Sequence, residues 1–317
     1  MHDKPKVLKM IKLLPWLEER LAATYDVVAL PSETNQRADF LAKHGADFTA
    51  VVTSAAYGID NATLHQLTQL KIISSFGVGL DKIDVAHAKA KGIAVGYTPD
   101  VLNDCVADLA FALLLGIGRR VSEGDRFVRE GHWSSGAVGP FSLGCQVSKA
   151  KLGIVGLGRI GATIAKRSIG FEMDVRYHSR SPVTSEPWVY EPNLMTLAKW
   201  ADFLVVITSG GSQTHHLINQ DVLEALGEKG FLINVSRGTV VDEVALVEAL
   251  QHKRIAGAAL DVFENEPFVP KALYELDNVL MVPHIASATV QTRQAMGQRV
   301  LDNLAAFFNQ QPLISAA

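Results

Sequence analysis

The stretch Lys151-Leu-Gly-Ile-Val-Gly-Leu-Gly-Arg-Ile-Gly161 decides the fold class of this chain. Its apolar first half predicts a buried strand, and its second half is a GxGxxG turn that opens a helix. Gly156 permits a tight turn, Gly158 lets the backbone approach a pyrophosphate, and Gly161 lets helix and strand pack closely. The N-terminus of the helix offers unpaired N–H groups and a positive dipole end to phosphates. In this context the glycines predict a dinucleotide site, whereas a bare GxGxxG could be an ordinary turn.

Short apolar strands alternate with longer helical patterns along the whole chain. The predicted strands are residues 7–10, 50–53, 71–74, 93–95, 151–155, 175–177, 203–207, 231–235 and 279–282. The predicted helices are residues 61–70, 104–121, 161–170, 220–226, 242–251 and 288–308. Nearly continuous apolar strands that alternate with helices are typical of a parallel sheet covered on both faces. The sequence therefore predicts an α/β protein.

The 317 residues are enough for two domains. Turn signals at Thr98-Pro99 and Val282-Pro283-His284 lie on either side of the glycine-rich turn. We therefore predict two Rossmann-like, doubly wound parallel-sheet domains. A dinucleotide-binding domain at residues 99–284 is inserted into a flavodoxin-like substrate domain made of residues 1–98 and 285–317.

Composition and charge exclude several classes of protein. The net charge is −3, with no basic run of the kind that a general nucleic-acid binder shows. The longest apolar run, residues 111–118, is shorter than the roughly 18 residues of a membrane span, and no signal-peptide pattern follows the N-terminus. We expect a cytoplasmic protein without nucleic-acid or membrane partners.

The pattern of cysteines and histidines predicts no metal site. Cys105 and Cys145 fit neither a disulfide framework nor a zinc-ligand spacing. The pair His215-His216 has no nearby partner in the sequence at metal-ligand spacing. We therefore assign these histidines to solvent contact or packing.

The residues after the second strand of the dinucleotide domain predict the cofactor. An NAD-specific site places Asp or Glu about 20 residues after the first glycine, on the adenosine ribose. The corresponding position here is His178, followed by Ser179, Arg180 and Ser181. No carboxylate would repel a 2′-phosphate, Arg180 can pair with it, and the serines can donate hydrogen bonds. We predict NADP(H), with NAD(H) as the weaker alternative, although a solvated surface loop could have the same composition.

Three segments after predicted strands carry chemically reactive side chains. They contain Arg237, the acidic cluster of residues 261–266, and His284, and open α/β sheets bind ligands at such carboxyl ends. Arg237 is suited to a bidentate clamp on a carboxylate. Considered singly, these side chains could form a surface ion pair, a helix-capping turn and a structural histidine. Together, a guanidinium, a carboxylate and an imidazole form an acid–base set for a 2-oxo acid.

Six segments in order along the chain carry a family resemblance. They are residues 74–84, 98–108, 156–161, 234–238, 257–267 and 283–284. With these segments the chain resembles the D-isomer-specific 2-hydroxyacid dehydrogenase family, particularly its glyoxylate/hydroxypyruvate reductase branch. The resemblance implies NADPH-dependent reduction of small 2-oxo acids, such as glyoxylate and hydroxypyruvate, to D-2-hydroxy acids.

The resemblance also assigns roles to individual residues. Arg237, Glu266 and His284 take the catalytic positions, with His284 as the proton donor and Glu266 favouring its charged form. The predicted substrate-binding residues are Val78, Gly79, Arg237 and Ser287. The predicted cofactor-binding residues are Gly156, Gly158, Arg159, Ile160, Gly161, Ser179, Arg180, Ser181, Val235 and Asp261.

Two alternatives and one departure accompany this assignment. Small side chains in Ser54-Ala-Ala-Tyr-Gly58 could admit a longer sugar acid, as in 2-ketogluconate reductases. The family also includes corepressors, so a dinucleotide-sensing binding protein is the alternative of a different class. Residues 208–212 depart from the apolar-Pro-Leu-Thr segment of many relatives, on the adenosine side of the site.

Residues 103–147 combine a long apolar helix with an irregular arm that contains Phe127, Trp133 and Phe141. Exposed aromatic side chains favour association, and related two-fold dimers use this region. We therefore predict a homodimer. In the reductases that the chain resembles, a Trp of this arm reaches the active site of the partner subunit, and Trp133 takes that position.

Overall fold

The computed structural model of this chain describes residues 4–133 and 141–317 and divides into two compact units. The first unit comprises Met1–Leu102 and Thr289–Ala317, and the second unit, Asn103–Ala288, is inserted between them. The junctions follow residues 102 and 288, a few residues beyond the predicted 98 and 284. Residues 134–140, in the predicted dimerisation arm, lie outside the described residues.

The elements alternate along both units. The strands are β1 (Lys6–Lys9), β2 (Asp26–Ala29), β3 (Ala50–Ser54), β4 (Ile72–Phe76), β5 (Ala94–Gly96), β6 (Lys151–Val155), β7 (Asp174–His178), β8 (Val189–Tyr190), β9 (Phe203–Val206), β10 (Phe231–Asn234), β11 (Gly257–Leu260) and β12 (Val279–Met281). The helices are α1 (Pro15–Thr24), α2 (Thr34–His44), α3 (Asn61–Gln66), α4 (Val85–Ala90), α5 (Asn103–Gly118), α6 (Val121–Arg129), α7 (Arg159–Ser168), α8 (Leu194–Trp200), α9 (Gln220–Leu226), α10 (Glu243–Gln251) and α11 (Val290–Phe308).

Each unit contains one parallel sheet. The strand order is β2-β1-β3-β4-β5 in the first unit and β12-β11-β10-β9-β6-β7-β8 in the second. In both sheets the chain builds outward from a central strand and then crosses to its other side, which is the doubly wound arrangement. The predicted α/β class, with two doubly wound parallel sheets, is confirmed.

Interior strands of the two sheets lie in the cores of the two units. Every residue of β4 and β9 is buried. The side chains of Ile72, Ile73, Leu204 and Val205 have no accessible surface. Each such side chain contributes about 1.5–3 kcal/mol by leaving water, so the apolar runs that predict the strands also hold the sheets together.

Three strands were not predicted, and each lacks a strong local signal. β2 and β8 are edge strands, and β2 has no fully buried residue because one side of an edge is open to solvent. β11 is buried throughout, but its sequence Gly-Ala-Ala-Leu is poor in β-branched and aromatic residues. These strands form because neighbouring strands offer their hydrogen-bonding edges.

The helix predicted at residues 104–121 is two separate helices in the structure. α5 ends at Gly118, and a separate helix, α6, begins at Val121. Between them Arg120 has a left-handed backbone, with φ of +58°, and such a residue interrupts a right-handed helix.

No helix in the described part of the chain combines the length and apolar character needed to cross a membrane.

Strand register places the functional segments of the second unit at one edge of its sheet. Val155 pairs with Val206, and Val206 pairs with Asn234. Asn234 pairs in turn with Leu260, and Leu260 with Met281. These residues are the last or nearly the last of five parallel strands, so the loops that follow them emerge side by side.

Candidate active site

The glycine-rich turn has a different requirement at each glycine. Gly156 has φ of +103°, and its N–H donates to the His178 carbonyl at 2.8 Å. A Cβ on Gly156 would lie 2.9 Å from the Thr208 backbone, and one on Gly161 would collide with the Gly156 carbonyl oxygen. At Gly158, which precedes α7, a Cβ would meet no atom within 4 Å. The backbone is therefore open at the helix N-terminus, where Arg159 and Ile160 begin the first turn, and the cradle fits a pyrophosphate.

The segment after β7 is held by a hydrogen bond within the segment and by another to a neighbouring loop. The Ser179 hydroxyl donates to the Ser181 carbonyl at 2.6 Å, and Arg180 Nη1 donates to Gln213 Oε1 at 3.2 Å. Gln213 directly follows residues 208–212, the segment that departs from the pattern of the resembled family. Arg180 and Ser181 are exposed, so both can meet a ligand at this edge.

The turn after β10 presents Arg237. Asn234 Nδ2 donates to the Arg237 carbonyl at 3.0 Å, and Asn234 Oδ1 accepts from the Ser236 N–H and hydroxyl. The guanidinium donates through Nη1 to the Ser236 carbonyl at 2.8 Å. Gly238 packs so closely on the Phe263 carbonyl that no side chain would fit there. Backbone contacts therefore hold the Arg237 turn against the loop after β11.

The loops after β11 and β12 pair a carboxylate with an imidazole. His284 Nδ1 lies 2.8 Å from Glu266 Oε2, and the other oxygen, Oε1, accepts from the Phe263 N–H at 3.1 Å. His284 has a left-handed backbone, with φ of +51°, and its N–H donates to the Asp261 carbonyl at 2.9 Å. Because Glu266 engages Nδ1, Nε2 is the nitrogen that can exchange a proton with a substrate.

The charge on Glu266 follows from its neighbours. Burial raises the pKa of the Glu266 carboxyl, but the hydrogen bond and positive charge of His284 lower it, with help from the Phe263 N–H and Arg237. The lowering effects prevail, so the pKa of Glu266 lies below its ordinary value. Glu266 is therefore a carboxylate at neutral pH and a partner for imidazolium.

Asp261 holds the backbone of the residues that follow His284. Its side chain is fully buried, and its two oxygens accept the N–H groups of Ile285 at 2.6 Å and Ala286 at 3.0 Å. Burial raises the pKa of Asp261, and these N–H groups partly offset that effect. Besides its predicted place in the cofactor site, Asp261 thus fixes the turn that leads to Ser287.

The comparisons with known proteins decide the family. Residues 111–286 match the family model "D-isomer specific 2-hydroxyacid dehydrogenase, NAD binding domain". The chain belongs to the D-isomer specific 2-hydroxyacid dehydrogenase family. All the predicted cofactor-binding residues lie within the matched part of the chain. They include Val235, which is buried beside β9.

Relatives match this family member along almost its full length. A glyoxylate/hydroxypyruvate reductase A of Arabidopsis thaliana is 43% identical over 309 residues, covering 98% of this chain and 97% of the relative. The 2-ketogluconate reductase of Gluconobacter oxydans is 41% identical over 315 residues, which cover 99% of this chain and 99% of the relative. The NADPH-dependent glyoxylate/hydroxypyruvate reductase of Sinorhizobium meliloti, solved with NADP and malonate, gives a TM-score of 0.91 at 40% identity, covering 99% of this chain and 97% of that one.

The predicted substrate residues Val78 and Gly79 belong to the first unit of this dehydrogenase. They follow β4 in a turn that starts at Gly77, whose φ is +142°. The Gly77 N–H donates to the Thr98 hydroxyl at 3.0 Å, and the Thr98 N–H donates back to the Gly77 carbonyl at 3.0 Å. This reciprocal pair of hydrogen bonds fixes the turn that carries both residues.

A polar cluster that the sequence did not predict lies beside the Glu266 loop. His216 Nε2 lies 3.0 Å from Glu264 Oε1, so His216 has a side-chain partner that is distant from it in the sequence. The Glu264 N–H donates to Glu243 Oε1 at 2.8 Å, and Glu243 is buried. Only the fold brings His216 to Glu264, because 48 residues separate them along the chain and no spacing rule links such positions.

Proposed function

We propose that this D-2-hydroxyacid dehydrogenase uses NADPH to reduce small 2-oxo acids, glyoxylate and hydroxypyruvate among them, to D-2-hydroxy acids. The observation that carries the proposal is the 2.8 Å contact of His284 Nδ1 with Glu266 Oε2, in loops next to the Arg237 turn. An imidazole with one nitrogen held by a carboxylate and the other available is suited to general acid–base chemistry. The reductases from A. thaliana and S. meliloti support the same substrate class.

The proposed roles follow from charge. When bound, NADPH supplies the hydride for the carbonyl carbon of the substrate. Arg237 binds the substrate carboxylate. Val78 and Gly79 keep their predicted role as substrate-binding residues. Protonated His284 donates the Nε2 proton to the carbonyl oxygen as negative charge develops there, and the Glu266 carboxylate stabilises the imidazolium beforehand. In the reverse direction neutral His284 accepts the hydroxyl proton.

The preference for NADPH is proposed to come from the segment of residues 178–181. Arg180 is exposed and oriented by Gln213, and the segment contains no carboxylate to repel a 2′-phosphate. The S. meliloti reductase, solved with NADP, supports this choice. The weaker alternative is NADH.

A second substrate class has its own support. The 41% identical G. oxydans relative is a 2-ketogluconate reductase. The loop after β3 in the first unit carries two alanines and a glycine around Tyr57, and we propose that these small side chains accommodate a longer sugar acid. Small 2-oxo acids and longer sugar acids would use the same acid–base pair and differ in the length of the carbon chain.

One kinetic experiment tests both substrate classes. Initial rates are measured with glyoxylate, hydroxypyruvate and 2-ketogluconate, each with NADPH and with NADH. We expect the highest kcat/KM for a two- or three-carbon acid with NADPH. A higher kcat/KM for 2-ketogluconate would favour the second class, and no cofactor oxidation with any acid would favour a dinucleotide-sensing protein.

We also propose a homodimer formed through residues 103–147. Trp133 is 65% exposed and Leu143 is 94% exposed, and the rings of Phe127 and Phe141 lie 5.4 Å apart. Exposed apolar side chains on one arm are typical of an association surface. Light scattering at micromolar concentration is expected to give twice the chain mass, and a monomer would refute the proposal.

A further inference from the structure

Three potential metal ligands converge beside the Glu266 loop. The donor atoms of His215, His216 and Glu264 all lie within 4.8 Å of one another. Glu264 Oε1 is 3.0 Å from His216 Nε2 and 3.8 Å from His215 Nε2, and the two imidazole rings stack at 3.9 Å. One carboxylate oxygen therefore faces a nitrogen from each of two histidines.

We propose that His215, His216 and Glu264 bind a divalent transition metal of the Zn²⁺ type. Imidazole nitrogen and carboxylate oxygen are ligands that such ions take at about 2.0–2.2 Å in tetrahedral geometry. Two tetrahedral ligands at that distance are about 3.3–3.5 Å apart. The observed separations of 3.0 and 3.8 Å lie on either side of that value, and a rotation of the stacked His215 ring would aim its Nε2 at the same ion.

A hydrogen-bonded ion pair accounts for only part of this geometry. The contact of His216 Nε2 with Glu264 Oε1 at 3.0 Å is a hydrogen bond, but His215 Nε2 lies 3.8 Å from the same oxygen, beyond hydrogen-bond distance. A metal ion binds both imidazoles as neutral ligands and the glutamate as a carboxylate. The partial exposure of His215, His216 and Glu264 leaves a path for the ion and room for a water ligand.

The surroundings hold the ligands and attract a cation. The His216 N–H donates to the Thr239 carbonyl at 2.9 Å, and the Glu264 N–H donates to Glu243. Asp242 Oδ2 lies 3.9 Å from His216 Nδ1, on the other side of the ring, where a carboxylate would orient a bound imidazole.

The test uses the full chain, stripped of metal with a chelator and titrated with Co²⁺ as a spectroscopic probe. We expect one Co²⁺ per chain, visible ligand-field bands, displacement by Zn²⁺ and a rise in Tm on binding. His215→Ala, His216→Ala and Glu264→Gln should each weaken binding by at least about 10-fold, because even changes around a metal site cost roughly 10- to 100-fold.

Two controls locate the site. His252→Ala removes an exposed histidine after α10 and should leave Co²⁺ affinity unchanged. His284→Ala should also leave it unchanged, because His284 contacts Glu266 rather than Glu264. The proposal is overturned if Co²⁺ binds with no defined stoichiometry. It is also overturned if the affinity for Co²⁺ falls in His284→Ala and is unchanged in His215→Ala. Because His215 is largely exposed, that variant reports on binding even if Glu264→Gln fails to fold.

Discussion

Replacing Glu266 with Gln removes the charge from the proposed acid–base pair and keeps its shape. A hydrogen bond to a charged group contributes about 1.5–3 kcal/mol, and partial exposure reduces this through solvent screening. The His284 and Glu266 side chains are 38% and 32% exposed, so we expect about 1–2 kcal/mol for the lost charge, or roughly 5- to 30-fold in kcat/KM for reduction.

The pH dependence supplies the sharper readout. Reduction requires imidazolium, and Glu266→Gln removes the carboxylate that faces it, so kcat/KM should change with pH differently in this variant and in the wild type. The measurement is kcat/KM for glyoxylate with NADPH from about pH 5 to about pH 9. Glu275→Gln, an exposed glutamate in the same unit, controls for loss of a negative charge. If the two variants give the same profile, Glu266 has no electrostatic role in the reaction.

The same substitution has a consequence for stability. The pKa of Glu266 is lowered in the folded protein, so its ionisation stabilises the fold above the unfolded-state pKa. That contribution is lost as the pH falls through the lowered folded-state pKa. In Glu266→Gln the free energy of unfolding should therefore depend less steeply on pH in the acid range. Urea titrations of both proteins at several acid pH values measure this slope, and equal slopes would contradict the assignment.

Three further predictions address the proton donor, the cofactor and the glycine-rich turn. His284→Ala should nearly abolish turnover while NADPH still binds in a fluorescence titration; wild-type turnover would refute its role. His178→Asp combined with Arg180→Ala should reverse the cofactor preference, since a charged contact with the 2′-phosphate contributes about 1.5–3 kcal/mol, or roughly 10- to 150-fold; a wild type that already prefers NADH would contradict this. Gly161→Ala should lower Tm, because its Cβ meets the Gly156 carbonyl, whereas Gly158→Ala should keep Tm and weaken NADPH binding; equal effects on Tm would exclude the division of roles.

The local chemistry of the second unit was predictable because its signals lie within a few residues. A strand, a glycine-rich turn and a helix are encoded together around Gly156, and the structure has all three in place. Arg237 and His284 could be placed at strand ends because the apolar runs before them are continuous. The resemblance to the family, read from such local motifs, was confirmed by the match over residues 111–286.

Other features depended on contacts between distant parts of the chain. The edge strand β2 and the alanine-rich β11 take their conformation from neighbouring strands, because β2 offers only two valines between Asp26 and Ala29 and β11 has no β-branched residue. The break at Arg120 was not predicted either, because no proline marks it and the apolar Val121 follows directly.

What the sequence by itself determined is the set of reactive groups and the order in which parallel strands present them. Only the tertiary structure decided which groups meet. Asp261 binds the N–H groups of Ile285 and Ala286, and Glu264 meets His216, since β9, β10, β11 and β12 lie side by side in one sheet. The physical reason is that hydrogen bonds form between atoms a few ångströms apart in space, and sheet pairing sets that proximity without any fixed spacing along the chain.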